Sequence, residues 1–186
     1  CSQSRGLGDV YKRQGYGSIG QELHQQILNE RKEILGRENI SLDIIGITNS
    51  KKMMLKDGII DLEAAKSVSD KNESLDQTDT DELINHMIKK SSSKRIIVDT
   101  SASDETPDLY KKIFENGICI VTANKKGLSG EIDRYHSIMN SKISNDVDFL
   151  YETTAGAALP FIKSVSDIAS SSDKVRKIEG IFSGTL

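Results

Sequence analysis

Apolar positions Ile19, Leu23 and Ile27 recur four residues apart among glutamines, Glu22, Glu30 and Lys32, which predicts a helix from about Gln21 to Leu35 with Gly36 as its stop. Leu42–Thr48 is a short, mostly apolar, β-branched run and predicts a strand buried on both faces. The stretch from Asn49 to Gln77 mixes Lys, Asp, Ser and Gly58, and predicts an irregular excursion with at most a short helix near Leu62–Lys66. Thr80 is placed to cap a helix whose apolar positions Leu83, Ile84, Met87 and Ile88 continue to Lys90. Arg95–Asp99 predicts a second buried strand. Pro107 suits the first turn of a helix through Tyr110, Ile113 and Phe114 that stops at Asn116-Gly117. Further along come a strand at Ile118–Thr122, a helix opened by Ser129 through Ile132, Tyr135, Ile138 and Met139, a strand at Val147–Tyr151, a helix at Leu159–Ala169 and a strand at Val175–Phe182. Strands alternating with helices in this way predict a parallel α/β sheet.

Composition narrows what such a sheet can serve. The 186 residues carry 25 basic against 28 acidic side chains, and this near balance argues against a nucleic-acid partner. No run approaches the roughly 18 consecutive apolar residues that a membrane-spanning helix needs. Cys1 and Cys119 lie far apart and fit no metal-ligand spacing, so a reducing, cytoplasmic setting is the expectation.

The chemistry begins at Gly15-Tyr16-Gly17-Ser18-Ile19-Gly20, a complete G-x-G-x-x-G that runs directly into a helix. In a dinucleotide site the first glycine makes the turn, the second admits the pyrophosphate, and the third lets the helix lie close to the sheet. Free amides at the helix start then face the phosphates. With the βα alternation that follows, the motif predicts a Rossmann-type domain; the plainer reading is a glycine-rich connector. The end of the next strand reads Thr48-Asn49-Ser50-Lys51-Lys52, with no acid to accept from a ribose 2'-hydroxyl. Asn49, Ser50 and Lys51 suit a 2'-phosphate, so the expected cofactor is NADP, with NAD the alternative and a merely solvated lysine loop the plain reading.

Residues Ser4–Gln14 resemble the translation of a transposase adapter used in sequencing-library preparation. On that reading, residues 1–14 lie outside the fold and the strand that should precede Gly15 is lacking. The pattern also breaks off at Leu186, so the expectation is a fragment open at both ends.

Four strings fall at strand ends, where open α/β sheets bind ligands: Val98–Ser103, Val121–Gly127, Tyr151–Pro160 and Ile178–Leu186. Together and in this order they resemble homoserine dehydrogenase, and the Thr48–Met53 stretch resembles the dehydrogenase half of bifunctional aspartokinase/homoserine dehydrogenases. The resemblance covers Gly15 to Leu186. It implies an NAD(P)-binding Rossmann domain over residues 15–150 and, over 151–186, the start of an α+β substrate and dimerisation domain. The implied activity is NADPH-dependent reduction of L-aspartate 4-semialdehyde to L-homoserine, on the route to threonine, isoleucine and methionine, by a homodimer or larger assembly. The glycine turn, Thr100, Ser101, Ala123 and Lys125 match the family's cofactor contacts. Glu152, with the carbonyls of Ala155, Ala157 and Leu159, matches its site for a monovalent cation such as sodium. Gly184 and Thr185 match the start of its substrate pocket, while the general-acid lysine and its aspartate partner would lie beyond Leu186. A fragment of this extent is expected to be inactive alone.

These roles agree with the chemistry. Hydride addition to an aldehyde leaves an alkoxide that must be stabilised and protonated, which calls for a cation near the carbonyl oxygen. Lys125 could hold substrate or cofactor, or simply face solvent. Oxygen-only ligands around Glu152 suit a hard cation, and the alternative for Glu152 is a carboxylate capping the helix that follows. His24, His86 and His136 have no ligand cluster around them and are expected at the surface or its edge. Cys119, within an apolar strand, is expected to be a core residue. Two other functions compete: a dehydrogenase acting on the acyl-phosphate side of the same semialdehyde, which needs a nucleophilic cysteine in a polar loop, and a nucleotide-sensing binding module.

Overall fold

The computed structural model describes residues 8–13, 16–69, 75–90, 94–157 and 159–181. In chain order they form β1 (Gly8–Arg13), α1 (Ser18–Glu38), β2 (Leu42–Thr48), β3 (Lys52–Leu55), α2 (Leu62–Ser69), β4 (Asp76–Gln77) and α3 (Thr80–Lys89). They continue as β5 (Lys94–Asp99), α4 (Tyr110–Glu115), β6 (Cys119–Thr122), α5 (Ile132–Ser144), β7 (Phe149–Leu150) and α6 (Phe161–Ser170). Among the described residues the strands form one sheet in the order β4-β3-β2-β1-β5-β6-β7. The run from β2 to β7 is parallel, and β3 and β4 extend it as antiparallel edge strands.

The middle strand is drawn from residues that the sequence reading set aside. Gly8–Arg13, expected to lie outside the fold, occupies the position of the strand thought lacking, paired with β2 on one side and β5 on the other. Without a strand there, β2 and β5 would each leave a row of main-chain N–H and C=O groups unpaired at the centre of the sheet. Main-chain pairing supplies those partners without requiring a long apolar run.

Opposite β1, β2 carries an extra residue: Val10 pairs with Ile44 but Lys12 pairs with Ile47. A bulge of this kind inverts the alternation beyond it. Ile44 and Ile47 accordingly both enter one apolar cluster, with Tyr16, Ile60, Ala65 and Val68, while Ile45 enters the other. The second cluster is larger. It packs Leu83, Ile84 and Met87 of α3, Tyr110, Ile113 and Phe114 of α4, and Ile138 of α5 against Ile97, Ile120 and Phe149 of the sheet. Each such side chain contributes roughly 1.5–3 kcal/mol when fully buried. Helices therefore cover both faces, as a parallel sheet requires.

Several boundaries shift for local reasons. Gly36 does not stop α1, which ends at Asn39 in the left-handed region (φ 55°), its N–H donating to Leu35 O at 3.0 Å. Asp79, not Thr80, caps α3, its Oδ1 accepting from the amides of Asp81 and Glu82 at 2.7 and 3.2 Å. Pro107 lies in a 3-10 turn, Thr106–Leu109, ahead of α4, and α5 starts at Ile132 rather than Ser129. The supposed irregular excursion contains β3, α2 and β4, because the edge of β2 offers a pairing template. Residues 175–181 form no strand, since no neighbour pairs with them, and Val175, Ile178 and Ile181 are exposed. No helix among the described residues is long and apolar enough to cross a membrane.

Candidate functional site

Strand order reverses at β1: β2 lies on one side and β5 on the other. Ligands of open α/β sheets bind beyond the strand ends at such a reversal. A cleft of about 580 Å³ opens there, bounded by Tyr16–Ile19, by Asn49 and Ser50, and by Thr100–Ser103 with Glu105. The structure thus gathers the predicted cofactor residues Gly17, Ser18, Ile19, Asn49, Ser50, Thr100 and Ser101. Gly15 lies outside the described residues, as do Gly184 and Thr185. Gly20 is buried at the start of α1. Lys51, next to Ser50, is exposed and is not among the residues that line the cleft.

The glycine turn presents donors. Gly17 caps α1 with extended backbone (φ −87°, ψ −164°), and the first intrahelical bond runs from Gln21 N to Gly17 O at 2.9 Å. The amides of Ser18, Ile19 and Gly20 precede that bond, and the first turn of α1 contains no acidic residue. A helix start of this kind receives phosphate.

The turn after β2 is held by Asn49. Its Oδ1 accepts from the amides of Lys51 and Lys52, both at 2.8 Å, and its Nδ2 donates to Val68 O at 2.7 Å. The side chain expected to contact the cofactor is therefore committed to shaping the turn that presents Ser50 and Lys51.

The turns after β5 and β6 are joined by a buried polar cluster. Asp99 Oδ2 accepts from Tyr110 Oη at 2.6 Å and from Asn124 Nδ2 at 3.1 Å, and its Oδ1 accepts from Ser101 N at 2.8 Å. Tyr110 Oη also lies 2.9 Å from Thr122 Oγ1, and Asn124 Nδ2 reaches Ser103 O at 2.9 Å. Asp99, Tyr110, Thr122 and Asn124 are all buried. A buried carboxylate is tolerated when its lone pairs are met in this way, and here it fixes the backbone of Thr100–Ser103 against that of Ala123–Lys125.

Lys125 and Ala123 are not in the first cleft. Ala123 N donates to Asp99 O at 2.9 Å. Lys125 opens a 3-10 turn, Lys125–Gly127, and borders a second cleft of about 520 Å³ with Tyr135, Tyr151, Ala155 and Phe161. Gly127 is required in that turn: a Cβ there would stand 2.9 Å from Pro107 Cβ. Burial, then the neighbouring Tyr135 and Glu152, push the Tyr151 hydroxyl above its ordinary pKa of 10.0. Glu152 Oε1 and Oε2 accept from the amides of Ile162 and Lys163 at 2.7 and 2.9 Å, so the carboxylate caps α6. Leu159 O accepts from Phe161 N at 2.8 Å, and Ala157 is in the left-handed region (φ 52°). No group of three or more His, Cys, Asp or Glu side chains among the described residues could hold a metal ion.

One histidine departs from expectation. His24 is fully buried, its Nδ1 2.9 Å from Tyr16 Oη and its Nε2 2.8 Å from Ile60 O. His136 is exposed, and His86 Nε2 lies 3.1 Å from Lys56 O. Cys119 is buried in β6 as expected, with a free thiol, and offers no nucleophile in a polar loop.

Comparison with known proteins decides the family. The pattern described as "Homoserine dehydrogenase, NAD binding domain" matches residues 15–152. The chain belongs to the homoserine dehydrogenase family. The bifunctional aspartokinase/homoserine dehydrogenase of Buchnera aphidicola is 36% identical over 92% of the chain and 21% of its own length. The chloroplastic bifunctional aspartokinase/homoserine dehydrogenase 2 of Zea mays is 34% identical over 92% of the chain and 19% of its own length. The chain thus spans about a fifth of the length of these curated relatives. Among solved structures, a hyperthermophilic archaeal homoserine dehydrogenase in complex with NADPH is 25% identical with a TM-score of 0.66, over 86% of the chain and 48% of that structure. In this member of the homoserine dehydrogenase family, sequence reasoning missed Tyr16, Ala102, Ser103 and Glu105 at the cleft, and the cluster of Asp99, Tyr110 and Asn124 beneath it. Asp99 and Asn124 stand within the strings that carried the resemblance; their polarity at strand ends was the available signal.

Proposed function

We propose that this chain is the cofactor-binding part of a homoserine dehydrogenase that reduces L-aspartate 4-semialdehyde to L-homoserine with NADPH. The observation that carries the reading is the single cleft at the strand-order reversal that joins a helix start free of acids to a strand end free of acids. The donors of Ser18 and Ile19 would hold the pyrophosphate, and Ser50 with Lys51 the 2'-phosphate. Thr100 and Ser101, fixed through Asp99, would carry the bound dinucleotide toward Ala123 and Lys125. The chemistry the cofactor supplies when bound is hydride transfer to the aldehyde carbon. Lys125 would hold the substrate or cofactor by its charge at the second cleft. Residues from Tyr151 onward would begin the unit that contains the substrate pocket, with Gly184 and Thr185, and joins copies into a homodimer; the exposed Leu159, Ile168, Val175, Ile178 and Ile181 support this. Glu152 with the carbonyls of Ala155, Ala157 and Leu159 offers one carboxylate among neutral oxygens, a donor set suited to a monovalent cation such as sodium. We assign the protein to the cytoplasm, where the buried Cys119 stays reduced.

The experiment has two arms. This chain is titrated with NADPH and with NADH, followed by nicotinamide fluorescence, and a version extended to the length of the relatives is assayed for homoserine oxidation. Tighter binding of NADPH and turnover by the extended protein are expected. Lys51→Ala should weaken NADPH binding about fivefold, the worth of about 1 kcal/mol for an exposed ion pair, and leave NADH unchanged. NADPH binding without homoserine turnover would overturn the assigned reaction, and an equal loss for both cofactors would overturn the role of Lys51.

A further inference from the structure

Tyr16 occupies the middle of the glycine turn, yet its side chain turns inward and is buried. Its hydroxyl lies 2.9 Å from Nδ1 of His24, which stands eight residues on, two turns along α1. On the other side of the ring, Nε2 lies 2.8 Å from Ile60 O. A carbonyl oxygen only accepts, so Nε2 carries the proton; with the ring neutral, Nδ1 accepts from the Tyr16 hydroxyl. In the neutral ring, Tyr16 thus donates to His24 and His24 donates to Ile60. Ile60 N in turn donates to Ile44 O of β2 at 2.8 Å. Four residues further, β2 ends at the Asn49–Lys51 turn.

This path connects the two places where the proposed cofactor carries phosphate. One end is the start of α1, whose amides would face the pyrophosphate; the other is the strand whose end presents Ser50 and Lys51. We infer that Tyr16 and His24 are positioning residues for the dinucleotide: the Tyr16–His24–Ile60 chain holds the glycine turn at a set distance from β2, so that both anionic groups are met at once. Neither side chain needs to touch the cofactor through its own polar atom. The ring of Tyr16, packed edge-on to His24 with centroids 5.9 Å apart, seats the turn in the apolar cluster with Ile44, Ile47 and Ile60. The hydroxyl then fixes its orientation. The inference rests on the dinucleotide reading of the cleft, and deepens it.

The test compares Tyr16→Phe, which keeps the ring and deletes only the donor, with His24→Gln, whose amide nitrogen can still donate to Ile60 O, and with His24→Leu, which cannot. Dissociation constants for NADPH and NADH are measured at 15 °C, with thermal denaturation of each variant alongside. Tyr16→Phe is expected to weaken NADPH at least fivefold and NADH less, because only NADPH carries both the pyrophosphate and the 2'-phosphate whose spacing the chain sets. His24→Leu should weaken them more, and His24→Gln should recover part of the loss. In the full-length enzyme Tyr16→Phe should raise KM for NADPH with little change in kcat. If Tyr16→Phe, folded at 15 °C, binds both cofactors as the unaltered chain does, the inference is overturned and the chain of bonds is structural only. If Tyr16→Phe does not fold, the comparison of His24→Gln with His24→Leu decides, and equal affinities for these two overturn it. Failure of the unaltered chain to bind either cofactor would instead refute the dinucleotide reading itself.

Discussion

Tyr110→Phe isolates one hydroxyl at the centre of the polar cluster beneath the cleft. The ring stays where it is, packed edge-on to Phe149 at 5.6 Å between centroids and tilted against Phe114 at 6.4 Å. What is lost is a hydrogen bond to a buried carboxylate at 2.6 Å and a contact with Thr122 Oγ1 at 2.9 Å. A bond to a charged group is worth about 1.5–3 kcal/mol. Neither partner is wholly orphaned: Asp99 Oδ2 keeps Asn124 Nδ2 at 3.1 Å, and Thr122 Oγ1 keeps the amide of Asn124 at 2.9 Å. The expected loss is accordingly about 2 kcal/mol. With a urea m-value of about 2 kcal/mol/M, the unfolding midpoint should fall by about 1 M without a change in slope. Circular dichroism in urea at pH 7 measures this directly. A midpoint within about 0.2 M of the unaltered chain would refute the argument that Asp99 depends on Tyr110, and with it the claim that this cluster holds the turns after β5 and β6 together.

Glu152→Ala removes the acceptor of two amides at the start of α6 and should cost about 1 kcal/mol, as the loss of a helix cap does; hydrogen exchange should then accelerate at Ile162 and Lys163, and unchanged protection there would sink the capping role. Burial raises the pKa of Tyr16, and burial with Tyr135 and Glu152 raises that of Tyr151. Because both folded values lie above the unfolded one, the stability they confer is whole below about pH 10 and is lost as the pH rises through the raised values. Urea midpoints between pH 9 and 11 should therefore decline, less steeply in Tyr16→Phe, and a flat profile would contradict the assignment.

How far the chain could be read from sequence depended on the range of the forces involved. The boundaries of β2 are as expected because Leu42–Thr48 is apolar and β-branched enough to be buried on both faces wherever it sits. Lys52–Leu55 has no such signature; it becomes a strand only because the edge of β2 lies beside it, a tertiary cause that local pattern does not register. His24 looked like a surface residue because nothing within a helical turn of it is a partner; Tyr16 and Ile60 are 8 and 36 residues away. The candidate site divides in the same way. Gly17, Ser18 and Ile19 were visible as a contiguous motif and are together in the cleft, whereas the Asp99 cluster draws on residues up to 25 positions apart. Lys125, counted by resemblance among the cofactor contacts, borders a separate cleft because the Asn124 side chain is drawn inward and the backbone tightens into a 3-10 turn after it.

The hairpin after β2 has a consequence for how cofactor choice can be altered. Its three-residue turn closes on itself: Asn49 N donates to Lys52 O at 2.9 Å, and the Asn49 side chain bonds both lysine amides. Ser50 and Lys51 stand outward from that ring of bonds with no apolar cluster relying on either. Asn49 ties the turn to the frame through Val68 O, and Thr78 bonds its backbone, whereas the Ser50 and Lys51 side chains are exposed. On the proposed reading of Ser50 and Lys51 as the 2'-phosphate contacts, rewriting these two side chains would change which dinucleotide is preferred while the parallel sheet, its bulge and both cores fold as before.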